Sequence, residues 1–464
     1  MTGRRQRPSF FALCFFVATL LAADRPSAAS DMLADPDETA ARLLDQQVWE
    51  LTRAPVDPAF VERVRRAARK QPAVDAQRAR VDELRARERE VGSARLPQID
   101  LGLERRTDLE STSRTAFDNG NRVDAVANAS QLLFDFGAVG RELDAAEYEV
   151  AAQRWQVQSA LEQQITDLLS AHLDVIRAGA LRALAIRHLA EQQRTVDRIR
   201  QQFEGGTITR AEVARAQARV ERARARVVAA EGESERAAAV YRERFFETPR
   251  EVEIPPLGEM PPSDLATALE QLRAMNSELQ GASRASAAAA ESAEAARRER
   301  LPRLSLDLQA RRFDIAEDAA DTDASLLFNL DYSLYTGGAG GARVDQARER
   351  RERARFERLA LYRELERQLT AVYANRSALR REAAAQRLAM RAEARTVSAY
   401  EAQRQTGRSS FIGLIDARQD WFDARSRRVE LVIETLKLSL EQRRLLGALR
   451  RQYQIMEAPI AQRQ

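Results

Sequence analysis

The stretch from Leu132 to Phe203 limits the possible folds of this chain more than any other. It begins with the short apolar strand end Leu132–Phe136 and continues through Gly137. It then runs without proline in alanine, leucine, glutamate, glutamine and arginine, which are good helix formers. A helix over this run would be about 100 Å long, far beyond the roughly 10–14 residues of an ordinary globular helix. The stretch therefore predicts a strand that turns directly into one long rod.

The same arrangement occurs a second time, about 200 residues further along, which is the signature of an internal repeat. There the strand end Leu334-Tyr335 leads through Gly337 and Gly338 into a second long helical run. Glycine suits such strand-to-helix joints because it adopts backbone angles that other residues avoid. We therefore interpret Gly137, Gly337 and Gly338 as strand–helix joints of a duplicated unit.

Prolines and glycines divide the chain into six parts. These are an N-terminal leader that we interpret as a signal peptide (1–29), a short N-terminal segment (30–56), a first repeat (57–248), a proline-rich linker (249–262), a second repeat (263–457) and a tail (458–464). Each repeat is predicted to hold a helix, two strands and a long helical hairpin. The predicted strands are 97–107, 122–136, 302–312 and 324–336, and the predicted hairpins are 138–247 and 340–453.

The N-terminus has the layout of a secretory signal peptide, with arginines before the apolar run Phe10–Ala23 and small residues after it. The apolar run is too short to cross a bilayer as a helix. The only cysteine, Cys14, lies inside this run, so the mature chain is expected to have no disulfide.

Composition argues against an enzyme or a nucleic-acid-binding protein. Of the 464 residues, 31% are charged and 6% are aromatic, as in long helices and coiled coils. Acidic and basic residues alternate along the helices, so the net charge of +4 does not indicate nucleic acid as a partner. His172 and His188 lack neighbouring ligands at metal-binding spacing, and Gly337–Gly341 lacks the Gly-Lys-Ser/Thr ending of a phosphate loop. We expect no catalytic site, metal or cofactor.

The four predicted strands alternate apolar and polar residues and have the length of strands that cross a bilayer. Open sheet edges are excluded in hydrocarbon, and four strands are too few to close a barrel. If the strands span a membrane, several copies must therefore complete the barrel, and three copies would supply twelve strands. A four-stranded soluble sheet packed on helices remains an alternative, as does a solid coiled coil in place of a tunnel.

Several motifs, in the same order in both halves, resemble the TolC family of outer-membrane efflux and secretion channels. They are Gln71-Pro72, Leu96-Pro97, Leu133-Phe134-Asp135-Phe136-Gly137, Phe203-Glu204-Gly205-Gly206-Thr207, Ala216-Gln217-Ala218, Leu301-Pro302, Leu334-Tyr335-Thr336-Gly337-Gly338 and Gly407–Ala417. The resemblance implies a mostly α-helical protein with membrane β-strands. It implies a homotrimer whose twelve-stranded barrel, set in outer-membrane lipid, continues into a periplasmic helical tunnel.

The resemblance also implies partners and sites. The partners are a periplasmic membrane-fusion adaptor and an inner-membrane pump of the ABC or RND type. The residues expected to dock the adaptor at the periplasmic tip are Gly205, Gly206, Thr207, Gly407, Arg408 and Ser409. The candidate gate residues are Glu401, Arg404 and Glu204; the arginines at the tip make a preference for cations doubtful.

We therefore expect an exit duct of a tripartite export system in the outer membrane, with no chemistry of its own. Ser409–Arg425 is similar to members that serve type I protein secretion, so the cargo is expected to be a secreted protein. Efflux of drugs or metals is the alternative within the family. A periplasmic coiled-coil adaptor or structural protein is the alternative from another class.

Overall fold

The structure is a computed structural model that describes residues 35–45, 57–107, 121–206, 208–250, 252–255, 257, 261–313, 315, 321–405 and 411–454. The predicted signal peptide and the predicted tail lie outside these residues. Of the N-terminal segment 30–56, only the part around helix α1 (Pro36–Asp45) is described. This helix buries Thr39, Ala40, Leu43 and Leu44.

The first repeat contains helices α2 (Pro58–Arg69) and α3 (Pro72–Ser93), strands β1 (Gln98–Thr107) and β2 (Asn121–Phe134), and helices α4 (Ala138–Glu204) and α5 (Arg210–Phe245). The second repeat contains the matching elements in the same order. They are α6 (Leu265–Met275), α7 (Ser277–Arg298), β3 (Arg303–Arg312), β4 (Thr322–Asp331), α8 (Ala339–Gln405) and α9 (Phe411–Leu445), followed by the short α10 (Ala448–Gln452).

Two of these helices, α4 and α8, are each 67 residues long, so each would measure about 100 Å. Each long helix is followed by a shorter helix that packs back against it, α5 on α4 and α9 on α8. The two hairpins also contact each other, because α9 packs on α4. The main apolar core lies between these helices, around Leu169, Leu173 and Leu436, which have no exposed surface.

The single helix that was predicted before each first strand is two helices in the structure. The break falls at Gln71 in the first repeat and at Asn276 in the second, and both residues have extended backbone angles. Pro72 explains the first break because proline disfavours helical angles in the residue before it. At the second break, the Asn276 side chain accepts from the Leu279 amide at 3.0 Å and so caps α7.

The four strands form one antiparallel sheet in the order β1-β2-β3-β4, with a bulge in β2 between Leu132 and Phe134. The predicted strand 324–336 is too long: β4 ends at Asp331, which pairs with Arg303 at the start of β3. The residue before Arg303 is Pro302, which has no backbone N–H to continue the pairing. The residues after Asp331 therefore leave the sheet and lead to the joint at Gly337.

Candidate functional site

The first strand–helix joint is built on Asp135. Its side chain accepts from the Gly137 amide at 2.9 Å and from the Val139 amide at 2.6 Å. These amides lie at the start of α4, where the first N–H groups have no partner within the helix. Phe136 and Gly137 both have positive φ angles, 56° and 80°. The backbone therefore turns sharply between β2 and α4 while the carboxylate caps the rod.

The second joint uses different residues for the same turn. Gly337 and Gly338 have φ angles of 62° and 87°, and the Thr336 hydroxyl accepts from the Gly340 amide at 3.1 Å. The three glycines interpreted as joints from the sequence thus all have left-handed backbone angles. Asp135 and Thr336, whose side chains cap the two rods, were not identified from the sequence, although Asp and Thr before a helix are a known capping signal.

The sheet has one apolar face, which is largely exposed. Because residues paired across neighbouring strands share a face, the registers define its members. Its apolar members are Ile99, Leu101, Leu103, Ala125, Ala127, Ala129, Leu304, Leu306, Leu308, Ala310, Ala324, Leu326, Phe328 and Leu330. Gln131, which pairs with Leu306, and Arg312, which pairs with Ala125, lie on the same face. Leu101 is 82% exposed and Leu330 is 69% exposed. An apolar surface of this extent on one side of a sheet is what contact with lipid requires.

The opposite face, called the polar face below, carries charged and hydrogen-bonding side chains. Arg311 of β3 lies 3.4 Å from Glu104 of β1 and 3.6 Å from Asp124 of β2, so one cation links three strands. Near the other end, the Asn329 amide donates to the Asp307 carboxylate across β3 and β4. This face suits water, and the two faces together give the sheet the pattern of a membrane strand set.

The first hairpin turns at Glu204, Gly205 and Gly206, all of which are exposed. Gly206 has a φ of 76°, and α5 begins with a capping box in which Thr209 and Glu212 bond each other reciprocally. Thr207, Gly407, Arg408 and Ser409 lie outside the described residues. We call the region where α4 and α8 end and α5 and α9 begin the tip.

At the tip, the predicted gate residue Glu401 pairs with Arg418. The Arg418 guanidinium of α9 donates to the Glu401 carboxylate of α8 at 2.5 Å and to the Thr195 hydroxyl of α4 at 2.6 Å. It also donates to the Glu191 carbonyl of α4 at 3.2 Å. Arg418 is 8% exposed, whereas the Glu401 side chain is 46% exposed. One buried cation therefore ties both hairpins together inside a single copy of the chain.

The other two gate candidates do not join this cluster. Glu204 is exposed at the end of α4, and among the described residues no ion pair joins it to a partner. Arg404 lies in the last turn of α8, and its side chain is not described. Arg418 was not assigned a role in the gate from the sequence, because its neighbours Asp416, Gln419 and Asp420 make it look like one more charged residue of a helix surface.

A close contact between α8 and α9 adjoins this ion pair. A Cβ atom built on Gly413 would lie 2.8 Å from Cε1 of Tyr400, so glycine is needed for the approach of the two helices. Val397, Leu414 and Ala417 form a small apolar cluster there, with Tyr400 packed against it. A second interhelix pair, Arg219 with Asp416 at 2.7 Å, links α5 to α9.

Both histidines are buried among helices. The His172 Nε2 atom lies 2.8 Å from the Glu253 carbonyl, and its ring packs on Phe60. Burial lowers the pKa of His172 to about 4, with a smaller effect of Arg63 in the same direction. His188 stacks on Phe422 at 4.5 Å, and burial lowers its pKa to about 4 as well. Both rings are therefore neutral at physiological pH and act as packing groups.

Within the described residues, no His, Cys, Asp and Glu side chains cluster in a way that would hold a metal ion. In the same residues, no helix combines the length and the hydropathy needed to span a bilayer.

Comparison with solved structures confirms the fold class, a mostly helical protein with a small membrane-type sheet and duplicated long hairpins. The chain is similar to CusC (TM-score 0.75, 17% identity, 89% of this chain and 97% of that one). It is similar to the outer membrane protein VceC of Vibrio cholerae (TM-score 0.74, 17% identity, 84% and 96%). It is also similar to the CmeC outer membrane channel of Campylobacter jejuni (TM-score 0.74, 13% identity, 90% and 95%).

Among curated proteins, the outer membrane efflux protein BepC of Brucella suis biovar 1 (strain 1330) is 24% identical over 294 residues. The match covers 63% of this chain and 64% of BepC, so it spans less than two thirds of that relative. The profile of the family described as "Outer membrane efflux protein" matches residues 64–240 and 268–448, most of both repeats. The predicted family resemblance and the outer-membrane location are thereby confirmed. The chain belongs to the outer membrane efflux protein family.

Proposed function

We propose that three copies of this chain close a twelve-stranded barrel and form the exit duct of a tripartite export system. The observation that carries the proposal is the sheet itself, which has one mostly apolar face, exposed on its edge strands, and two edge strands, β1 and β4. In hydrocarbon each unpaired backbone group costs several kcal/mol, so these edges need partners. A second and a third copy supply them, and twelve strands exceed the minimum of about eight for a barrel.

The helices support the same closure. Helix α4 packs between α3 and α7, and α7 packs against α8, so the helix order α3-α4-α7-α8 repeats the strand order β1-β2-β3-β4. One side of the protomer therefore ends in α3 and β1, and the other side ends in β4 and α8. A ring of copies would join these two sides and continue the barrel into a helical tunnel, which favours a channel over a periplasmic adaptor or structural protein.

We assign the tip to docking and gating. The turn at Gly205 and Gly206 is exposed, and with Thr207, Gly407, Arg408 and Ser409 it would contact a periplasmic membrane-fusion adaptor. Energy would come from an inner-membrane ABC-type or RND-type pump, since the described part of the chain offers no site for energy conversion. Opening would be a separation of the hairpins at the tip, with Glu401, Arg404 and Glu204 near the entrance.

For the cargo, we propose a secreted protein delivered by a type I system, supported by the similarity of Ser409–Arg425 to such members. Efflux of drugs or metal ions is the second candidate, and the description of the family as efflux proteins favours it. Deletion of the gene separates the two. Loss of a protein from the culture medium at unchanged drug and metal tolerance supports the first, and lowered tolerance with an unchanged set of secreted proteins supports the second.

Cell fractionation and conductance test the duct itself. The protein should sediment with the outer membrane, have the mass of three chains in detergent, and form pores in a planar bilayer. Recovery as a water-soluble monomer from the periplasm would refute the proposal. Photo-crosslinking from Gly206 should capture an adaptor, and linkage to no envelope protein at all would contradict the docking assignment.

A further inference from the structure

We propose that β1 of one copy pairs with β4 of the next copy in the register that places Leu327 opposite Gly102. This inference rests on the proposed trimer and adds the contact that aligns its copies. The partner is a second copy of this chain, and the surface is the pair of edge strands.

The polar face has few apolar side chains, and two of them lie far apart within one copy. Leu327 of β4 pairs with Asp307 of β3 and is 46% exposed. Val126 of β2 pairs with Gly102 of β1 and is 4% exposed. The aspartate opposite Leu327 does not bury the apolar surface of the leucine. Burial of that surface, which would be stabilising, therefore requires an apolar neighbour from outside this strand pair.

Gly102 provides the space for that partner. A Cβ atom built on Gly102 would meet no other atom within 4 Å. A leucine placed opposite Gly102 by the next copy would therefore meet no side chain on β1 and could cover the exposed backbone of the glycine.

Charge selects this register over its neighbours. A shift of one residue would turn the polar face of β4 toward the apolar side of β1, so only shifts of two are compatible with both faces. In the proposed register Asp100 lies opposite Asn329 and Glu104 opposite Ser325. A shift of two one way places Glu104 opposite Asp323. A shift of two the other way places Asp100 opposite Asp331, and like charges directly opposite are destabilising.

The proposed register also uses the whole of both edges. It pairs every residue of Gln98–Thr107 with a residue of Thr322–Asp331, so no backbone group within either strand is left without a partner. Complete pairing matters here because these edges lie in hydrocarbon.

Cysteine cross-linking tests the register, because the only cysteine of the chain is Cys14. In a Cys14→Ser background, the double variant Gly102→Cys with Leu327→Cys should give covalent dimers and trimers with a short thiol cross-linker. The yield of cross-linked dimers and trimers should be at least fivefold lower for two shifted pairs. These are Gly102→Cys with Ser325→Cys and Gly102→Cys with Asn329→Cys. Asp307→Cys with Leu327→Cys, which pair within one copy, should react without joining copies and serves as the control.

A size swap tests the packing independently. Gly102→Leu should lower the temperature at which the trimer dissociates in detergent, and adding Leu327→Gly should restore most of the loss.

If Gly102→Cys prevents assembly, Asp100→Cys with Asn329→Cys reports the same register. Strong linkage of a shifted pair in an intact trimer would overturn the register alone. If the unmodified chain is monomeric in detergent, the proposed function is wrong as well.

Discussion

The Arg418 guanidinium donates to the Glu401 carboxylate at 2.5 Å and, through its other nitrogen, to the Thr195 hydroxyl at 2.6 Å. Glu401 belongs to the second hairpin and Thr195 to the first, so this one side chain joins the ends of both long rods. Arginine suits this position because its planar group presents several donors in fixed directions. The contact therefore resists separation of the hairpins at the tip.

Replacing Arg418 by alanine should loosen the tip and raise conductance. The change removes two side-chain contacts and a bond to the Glu191 carbonyl, and hydrogen bonds to charged groups contribute about 1.5–3 kcal/mol each. We expect single-channel conductance in planar bilayers to rise severalfold. Arg427→Ala is the matched control, because Arg427 pairs with Glu382 on the exposed surface, where ion pairs contribute little. Unchanged conductance in the Arg418 variant would show that this contact does not hold the channel closed.

Glu401→Ala should have a smaller effect than Arg418→Ala. Arg418 keeps Thr195 and the Glu191 carbonyl as partners, and Glu401 is nearly half exposed, so water replaces part of the lost contact. Arg404→Ala should shift ion selectivity toward cations by removing a positive charge from the tip. Single-channel conductance measures the effect of Glu401→Ala, and the reversal potential in a salt gradient measures the effect of Arg404→Ala. If neither variant changes either quantity, the assignment of Glu401 and Arg404 to the entrance is wrong.

Gly413→Ala should disturb the contact between α8 and α9. The added methyl group would lie 2.8 Å from the Tyr400 ring, and overpacking of this kind costs about 1–3 kcal/mol. We expect a lower melting temperature and less stable closed states in bilayer recordings. Gly232→Ala is the comparison, since the nearest atom to its Cβ is the flexible end of Arg236 at 3.8 Å. That variant should be neutral or stabilising, because alanine favours helix.

Asp135→Ala should destabilise the joint between sheet and rod. Two amides at the start of α4 would lose their acceptor, and loss of such a cap costs about 0.5–2 kcal/mol. We expect a lower thermal transition with the trimer still formed. Asp135→Asn retains an acceptor oxygen and should lose less. An equal loss in both variants would mean that charge, and not the hydrogen bonds, stabilises the joint.

Acid should destabilise the helical core through His172. Its pKa is about 4 in the folded chain and near 6.5 when unfolded, so the unfolded state binds the proton first as pH falls. Stability is therefore full above pH 7 and decreases between about pH 6.5 and 4, by about 3 kcal/mol in total. Melting temperatures over this range should fall less steeply for His172→Gln, which keeps a donor for the Glu253 carbonyl. Parallel pH profiles for both proteins would contradict this role.

The sequence predicts the features of this fold that depend on local chemistry. Gly137, Gly337 and Gly338 could be identified because a strand cannot turn directly into a helix without unusual backbone angles. The end of β4 could not, because it depends on the partner strand: alternation continues to Leu334, but Pro302 offers no donor. Arg418 was missed for a similar reason. Its role depends on Thr195 and Glu401, which are distant in sequence and meet only when the hairpins pack.

The equal length of α4 and α8 has a mechanical consequence. Both rods leave the sheet at glycine joints and run about 100 Å to the tip, so each acts as a lever pivoting near the membrane. In the proposed channel, rotation of such a lever by about 5° would move its far end by roughly 9 Å, while the pivot itself would hardly shift. Aperture changes at the distant end can thus occur without disturbing the lipid seal.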